Sequence, residues 1–82
     1  SSVSALEGNK WSVRGFKNGE ILVDKVEMHQ AVSIEDCLDS KIQIKSNKIK
    51  HLLIDRCNNS TIEFNSVIST VEIVNCDKLT LF

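Results

Sequence analysis

Eighty-two residues carrying 10 basic and 11 acidic side chains make one small domain of net charge −1, so no overall positive field exists to hold nucleic acid or an anionic membrane. An apolar fraction of 41% is too high for a disordered chain, and no apolar run approaches the ~18 residues of a membrane span. Surface scaling leaves roughly 8,400 Å² to be buried on folding, enough for a small core, while an odd cysteine count with no secretory leader points to reduced thiols in the cytosol.

The first nineteen residues hold every glycine and the one tryptophan. Trp11, Val13 and Phe16 alternate or nearly so, and residues 1–19 are read as an N-terminal cap over the first coil of the remainder. Beyond Gly19 there is neither glycine nor proline, so turns fall to Asn, Asp and Ser at Asp36 to Ser40, Ser46 to Lys48, Asn58 to Ser60, Asn65 and Ser66, and Asn75 to Lys78. Such short polar side chains bond their own backbone. Between these clusters lie apolar runs centred on Val23, Ile34, Ile44, Ile54, Phe64 and Ile73. Within them apolar and polar residues alternate, as in Lys41-Ile42-Gln43-Ile44-Lys45 and Thr61-Ile62-Glu63-Phe64-Asn65, the period of a strand buried on one face.

The runs repeat. Ile34-Glu35-Asp36-Cys37, Ile54-Asp55-Arg56-Cys57 and Ile73-Val74-Asn75-Cys76 share the form Ile-x-x-Cys, and Ile42, Ile62 and Leu81 follow five residues after each cysteine. Short strands at this spacing also suit an antiparallel sandwich, but a fixed two-strand period, equivalent residues at equivalent positions and the lack of an Asn-Gly or Asp-Gly hairpin favour a solenoid. The expected architecture is all-β, a right-handed parallel β-helix over residues 20–82 with about ten residues per strand. Ile34, Ile54 and Ile73 then form one inward column, Ile42, Ile62 and Leu81 another, and Cys37, Cys57 and Cys76 a third. A left-handed hexapeptide helix would need a six-residue period, which is absent.

The cysteine column reads as small core residues and not as a metal site, because no Cys-x-x-Cys pair exists and neither His29 nor His51 stands at finger spacing. Outward carboxylates stacked at Glu35 and Asp55 resemble the acid pairs of β-helical polysaccharide-degrading enzymes, but the short turns leave nothing to wall a sugar groove. Lys41, Lys45, Lys48, Lys50 and His51 form a basic stretch suited to an acidic surface. Nucleic acid is a poor partner for it, since no exposed aromatic is interleaved to stack bases. No Ser-His-Asp, P-loop or dinucleotide-binding pattern appears, and neither enzymatic activity nor a cofactor is expected.

The run Leu6-Glu7-Gly8-Asn9-Lys10-Trp11-Ser12-Val13, followed by the Ile-x-x-Cys solenoid with Ile42-Gln43-Ile44-Lys45 and Val71-Glu72-Ile73, resembles the C-terminal domain of cyclase-associated proteins. That resemblance implies a cytoplasmic, cytoskeleton-associated domain that binds monomeric actin, prefers its ADP form, promotes exchange of its nucleotide and forms a homodimer. Alternation turns Gln43 and Lys45 outward on one face and Asp55 and Glu72 outward on another. With Lys10 and Trp11 of the opening motif they are the candidate actin contacts. Domains of this family are about twice as long, so the chain reads as an N-terminal half whose final strand is left unpaired. Its apolar residues Val71, Ile73, Leu79, Leu81 and Phe82 are the candidate dimer interface. Tubulin cofactor C, of related fold, offers the alternative of acting on a small GTPase or tubulin through an arginine. Only Arg14 and Arg56 are available, and the Gln-x-x-x-Arg-x-His pattern of that family is absent.

Overall fold

Alternating runs rich in Ile and Val favour strands over helices, because branched side chains lose rotamer freedom in a helix and pack well on a pleated surface. A computed structural model, describing residues 1–82, contains strands and no helix. They are β1 Ser2–Leu6, β2 Lys10–Arg14, β3 Glu20–Val23, β4 Ala31–Glu35, β5 Lys41–Ile44, β6 Ile49–Asp55, β7 Asn58–Glu63, β8 Val67–Val74 and β9 Asp77–Leu81. Sheet A has the order β1-β2-β4-β6-β8 and sheet B the order β3-β5-β7-β9. Only β1 and β2 are antiparallel; every other neighbour is parallel. The chain passes from sheet A to sheet B and back in each coil, which is the parallel β-helix the repeat predicts.

Parallel pairing already begins at Lys10, which lies against Ala31, so residues 1–19 contain both the antiparallel strand β1 and the first parallel strand β2. Glu7, Gly8 and Asn9 form the hairpin turn, with Gly8 and Asn9 in the left-handed region at φ 79° and 61°. The hairpin lies outside the solenoid register, and β1 seals the edge that β2 would otherwise leave unpaired.

The core lies between the sheets. Val13, Val32, Ile34, Leu52 and Ile54 face inward from sheet A, Val23, Ile42, Ile44 and Ile62 from sheet B, and Cys37 and Cys57 fill the corner where A turns into B. Trp11 and Phe16 pack partly buried against this core at its first end. In register, Val13, Ile34, Ile54 and Ile73 make one column and Ile21, Ile42, Ile62 and Leu81 another.

Each A-to-B corner uses two left-handed residues. Gly15, Asp36, Arg56 and Asn75 stack at the first position, with φ 75°, 55°, 53° and 53°; Asn18, Asp39, Asn59 and Lys78 stack at the second, with φ 52°, 51°, 47° and 54°. Gly, Asn and Asp adopt this conformation readily, whereas Arg56 and Lys78 do so at a cost of about 1 kcal/mol or more. Ser40 and Ser60 close the corner: each hydroxyl donates to the carbonyl two residues back at 2.9 Å and accepts an amide of the preceding coil at 3.2 Å.

At the last rung the columns continue but the burial does not. Ile34 and Ile54 are fully buried whereas Ile73 is 49% exposed, and Ile62 is fully buried whereas Leu81 is 37% exposed. Cys76 is likewise only half-buried while Cys37 and Cys57 are buried. The inward columns expected for these three residues are therefore correct in register, but nothing stacks on the final coil to cover them. The middle coil is sealed on both sides, so Ile54→Ala is expected to cost about 2–5 kcal/mol in chemical denaturation and Ile54→Val about 0.5–1.5 kcal/mol. A loss below about 0.5 kcal/mol for the alanine variant would remove Ile54 from the core.

Candidate functional site

With no side chain free to point inward except into the core, the outer faces of the two sheets are where recognition can occur. On sheet B, Leu22, Gln43 and Glu63 form one outward row. Gln43 Nε2 donates to Glu63 Oε2 at 2.6 Å, and Lys41 Nζ stands 3.7 Å from the other oxygen of the same carboxylate. A groove of about 530 Å³ runs along this row, lined by Leu22, Gln43, Lys45, Glu63, Phe64 and Phe82 among others. Lys45 is exposed and enters no ion pair, so its charge is available to a partner.

On sheet A the outer face is governed by Arg56. Its guanidinium reaches Asp36 at 2.8 Å through Nε, Glu35 at 3.5 Å through Nη2, and Asp55 through Nη1. Arg14 adds a 3.3 Å contact to Asp36. The hydrogen bond from Arg56 is the main reason that the Asp36 carboxyl sits below the usual carboxylate range, and Asp36 in turn holds Arg56 firmly protonated. Glu35 and Asp55 are indeed neighbours in β4 and β6. The guanidinium between them offsets the repulsion of two like charges in adjacent strands, and occupies the carboxylates that a general acid and base would need free.

The six candidate contacts do not meet in one patch. Gln43 and Lys45 lie on sheet B, while Lys10, Asp55 and Glu72 lie outward on sheet A. Asp55 is engaged by Arg56, and Glu72 is exposed beside Leu53. Trp11 turns toward the core, and its Nε1 donates to Gln30 Oε1 at 2.8 Å. The candidate interface residues Val71, Ile73, Leu79, Leu81 and Phe82 do share the final rung, with Phe82 72% exposed. Ile68 and Val74 of β8 are also exposed, but Val74 is in register with outward Asp55, and Ile68 lines a depression on sheet A. Among the thiols, Cys57 is pushed well above the usual range, first by its hydrogen bond with the Cys37 sulfur and then by burial.

These features sit on a chain whose whole length, residues 1–82, matches the model of the adenylate cyclase associated (CAP) C-terminal family. The chain belongs to that family. It is 39% identical over 77 residues to the adenylyl cyclase-associated protein of Dictyostelium discoideum, covering 93% of this chain and 16% of that protein. It is 33% identical over 75 residues to human adenylyl cyclase-associated protein 1, covering 90% and 16%, and 32% identical over 73 residues to cyclase-associated protein 1 of Arabidopsis thaliana, covering 88% and 15%. The chain thus spans about a sixth of the length of these relatives. No solved structure matches. None of these findings supports the tubulin cofactor C alternative.

The Arg56 cluster has a definite pH signature. A carboxyl whose pKa is lowered on folding contributes stability that is fully present above its unfolded value and is lost as pH falls through its folded value. Arg56→Gln removes the largest cause of the Asp36 shift, so the variant should melt below the parent chain at neutral pH, with the gap narrowing as pH falls and Asp36 is protonated. Thermal melts across this range would check it, and a gap that stayed constant down to the acid limit would mean that Arg56 acts through packing and not charge.

Proposed function

We propose that this chain is an actin-binding solenoid of a cyclase-associated protein, which binds monomeric actin and promotes exchange of its nucleotide. The observation that carries the reading is the family match over all 82 residues, together with the Leu6-Glu7-Gly8-Asn9-Lys10-Trp11 opening on which the resemblance rests. Two sheets of in-register parallel strands give a rigid frame, and binding to a preformed face costs less ordering than binding by a loop. The sheet B groove suits the role: the free charge of Lys45 and the amide of Gln43 lie beside the apolar side chains of Leu22, Phe64 and Phe82. The domain works in the cytoplasm with the cytoskeleton, as a binding module without chemistry of its own.

Charge reversal tests the face. Lys45→Glu should weaken actin binding about tenfold or more at low salt and less at high salt, because exposed interfacial charges act through a screened field. Unchanged binding at every ionic strength, in a variant shown by circular dichroism to be folded, would reject the sheet B face.

The same reading includes a homodimer joined through the last rung. The unpaired edges of β8 and β9 and the apolar surface of Val71, Ile73 and Leu81 call for a cover, and a two-fold contact between like ends closes the assembly instead of extending it. Ile73→Asp should shift the chain to monomer in light scattering at concentrations where the parent associates. A parent chain that stays monomeric at about a tenth of a millimolar, an affinity weaker than about −5.5 kcal/mol, would overturn the dimer.

A further inference from the structure

A second depression, of about 730 Å³, opens on the outer side of sheet A at the beginnings of β4 and β6, away from the sheet B groove. A short side chain, Ala31, lies in its wall. Lys10 pairs with Ala31 and Val32 with Leu52, which sets His51 beside Ala31 in the next coil. The short side chain of Ala31 therefore leaves room beside His51 in that row. The turn residues Gly8 and Asn9 wall the hollow toward the first coil, and Ile68 and Ser69 wall it toward the last.

The ionisable groups in the wall are Lys50, His51 and His29, and no carboxylate lines it, although the chain as a whole carries a net charge of −1. His29 arrives on the longest connection between strands, from Val23 to Ala31. It holds φ 71°, and its backbone N–H donates to the Lys48 carbonyl at 2.9 Å. Gln30 organises the connection. Its Oε1 accepts from Trp11 Nε1 and from the Glu27 amide, both at 2.8 Å, its Nε2 donates to Asn9 Oδ1 at 3.0 Å, and its carbonyl accepts from the Lys50 amide at 2.9 Å. One residue thus ties together the segments that carry Asn9, His29 and Lys50. The wall is fixed before any ligand arrives.

We infer that this cleft binds a small molecule bearing a phosphate monoester or diphosphate. The Lys50 ammonium offers three donors and a full charge, and each imidazole offers at least one ring N–H in either protonation state. The volume exceeds that of a lone phosphate and falls in the range of small-molecule sites, with Ala31 and Ile68 giving apolar contact to the organic part. The site lies on the sheet opposite to the groove assigned to actin, so neither assignment depends on the other.

The test is a titration of the isotopically labelled chain with pyrophosphate and with adenosine monophosphate at constant ionic strength, followed by nuclear magnetic resonance. Saturable shifts are expected at Gly8, Asn9, His29, Lys50, His51 and Ser69. Lys50→Gln and His51→Gln should each weaken binding about tenfold, the loss of one charge-assisted or neutral bond to the anion. Lys17→Gln, an exposed lysine on the A-to-B corner, should leave it unchanged. In parallel, phosphatidylcholine vesicles with and without phosphatidic acid distinguish the source of the phosphate. Sedimentation that needs both the acidic lipid and Lys50 assigns a lipid headgroup, and binding of the soluble anions alone assigns a free ester. The proposal fails if neither soluble anions nor vesicles bind, or if Lys17→Gln weakens binding as much as Lys50→Gln, since only general charge attraction would then be at work.

Discussion

Every position in this chain is constrained by the residue one coil above it and one coil below it. Parallel strands in register place equivalent side chains about 4.8 Å apart, so a column can hold only residues that tolerate their own kind as neighbours. Ile34 on Ile54 and Ile42 on Ile62 satisfy this by packing, Ser40 on Ser60 by donating its backbone amide to the Ser60 hydroxyl, and Cys37 on Cys57 by stacking two small polarizable groups. Charge is the hard case. Glu35 on Asp55 would repel, and the same coil supplies Arg56 one residue later to lie against both.

Arg56 shows how a local conflict is settled by stacking. Its backbone occupies a left-handed corner where Gly15, Asp36 and Asn75 are the natural occupants, so local preference argues against arginine there. The preceding coil presents Glu35 and Asp36 to its side chain, and the ion pairs offset the backbone cost. Being exposed, these pairs are individually weak. Their value lies in four groups sharing one arrangement.

Much of this was legible in the residues. Alternation located the strands, the Ile-x-x-Cys repeat located the columns, and the Asn, Asp and Ser clusters located the corners, because each reflects a rule that acts within one coil or between equivalent positions. The first coil was harder to see. Val13-Arg14-Gly15-Phe16 is the first copy of the repeat, but a valine and a phenylalanine stand where later copies have isoleucine and cysteine. The β1 to β2 hairpin is marked only by Gly8-Asn9, a turn signal distinct from the Asn-Gly and Asp-Gly pairs that the chain lacks. What no periodicity could show is contact between non-equivalent residues: Gln30 gathering Trp11, Glu27 and Asn9, or Arg56 bridging acids from two coils. Such contacts depend on where a side chain ends and not on where its backbone begins.

Within residues 1–82 the last rung is the less covered end, and this gives the stack a direction. In a solenoid each coil is held only by its neighbours, so its free energy is a sum of coil and interface contributions and need not be lost all at once. Ile34 and Ile54 lie between covered coils, whereas Ile73 and Leu81 have a partner on one side only. Taken by themselves, residues 1–82 should therefore open first at β9 and β8, the coils nearer the hairpin being held on both sides. The end that peels most easily is also the one with apolar surface to offer, so a subunit or further coil docking there raises the cost of opening for every rung behind it and turns a frayed ladder into a cooperative one.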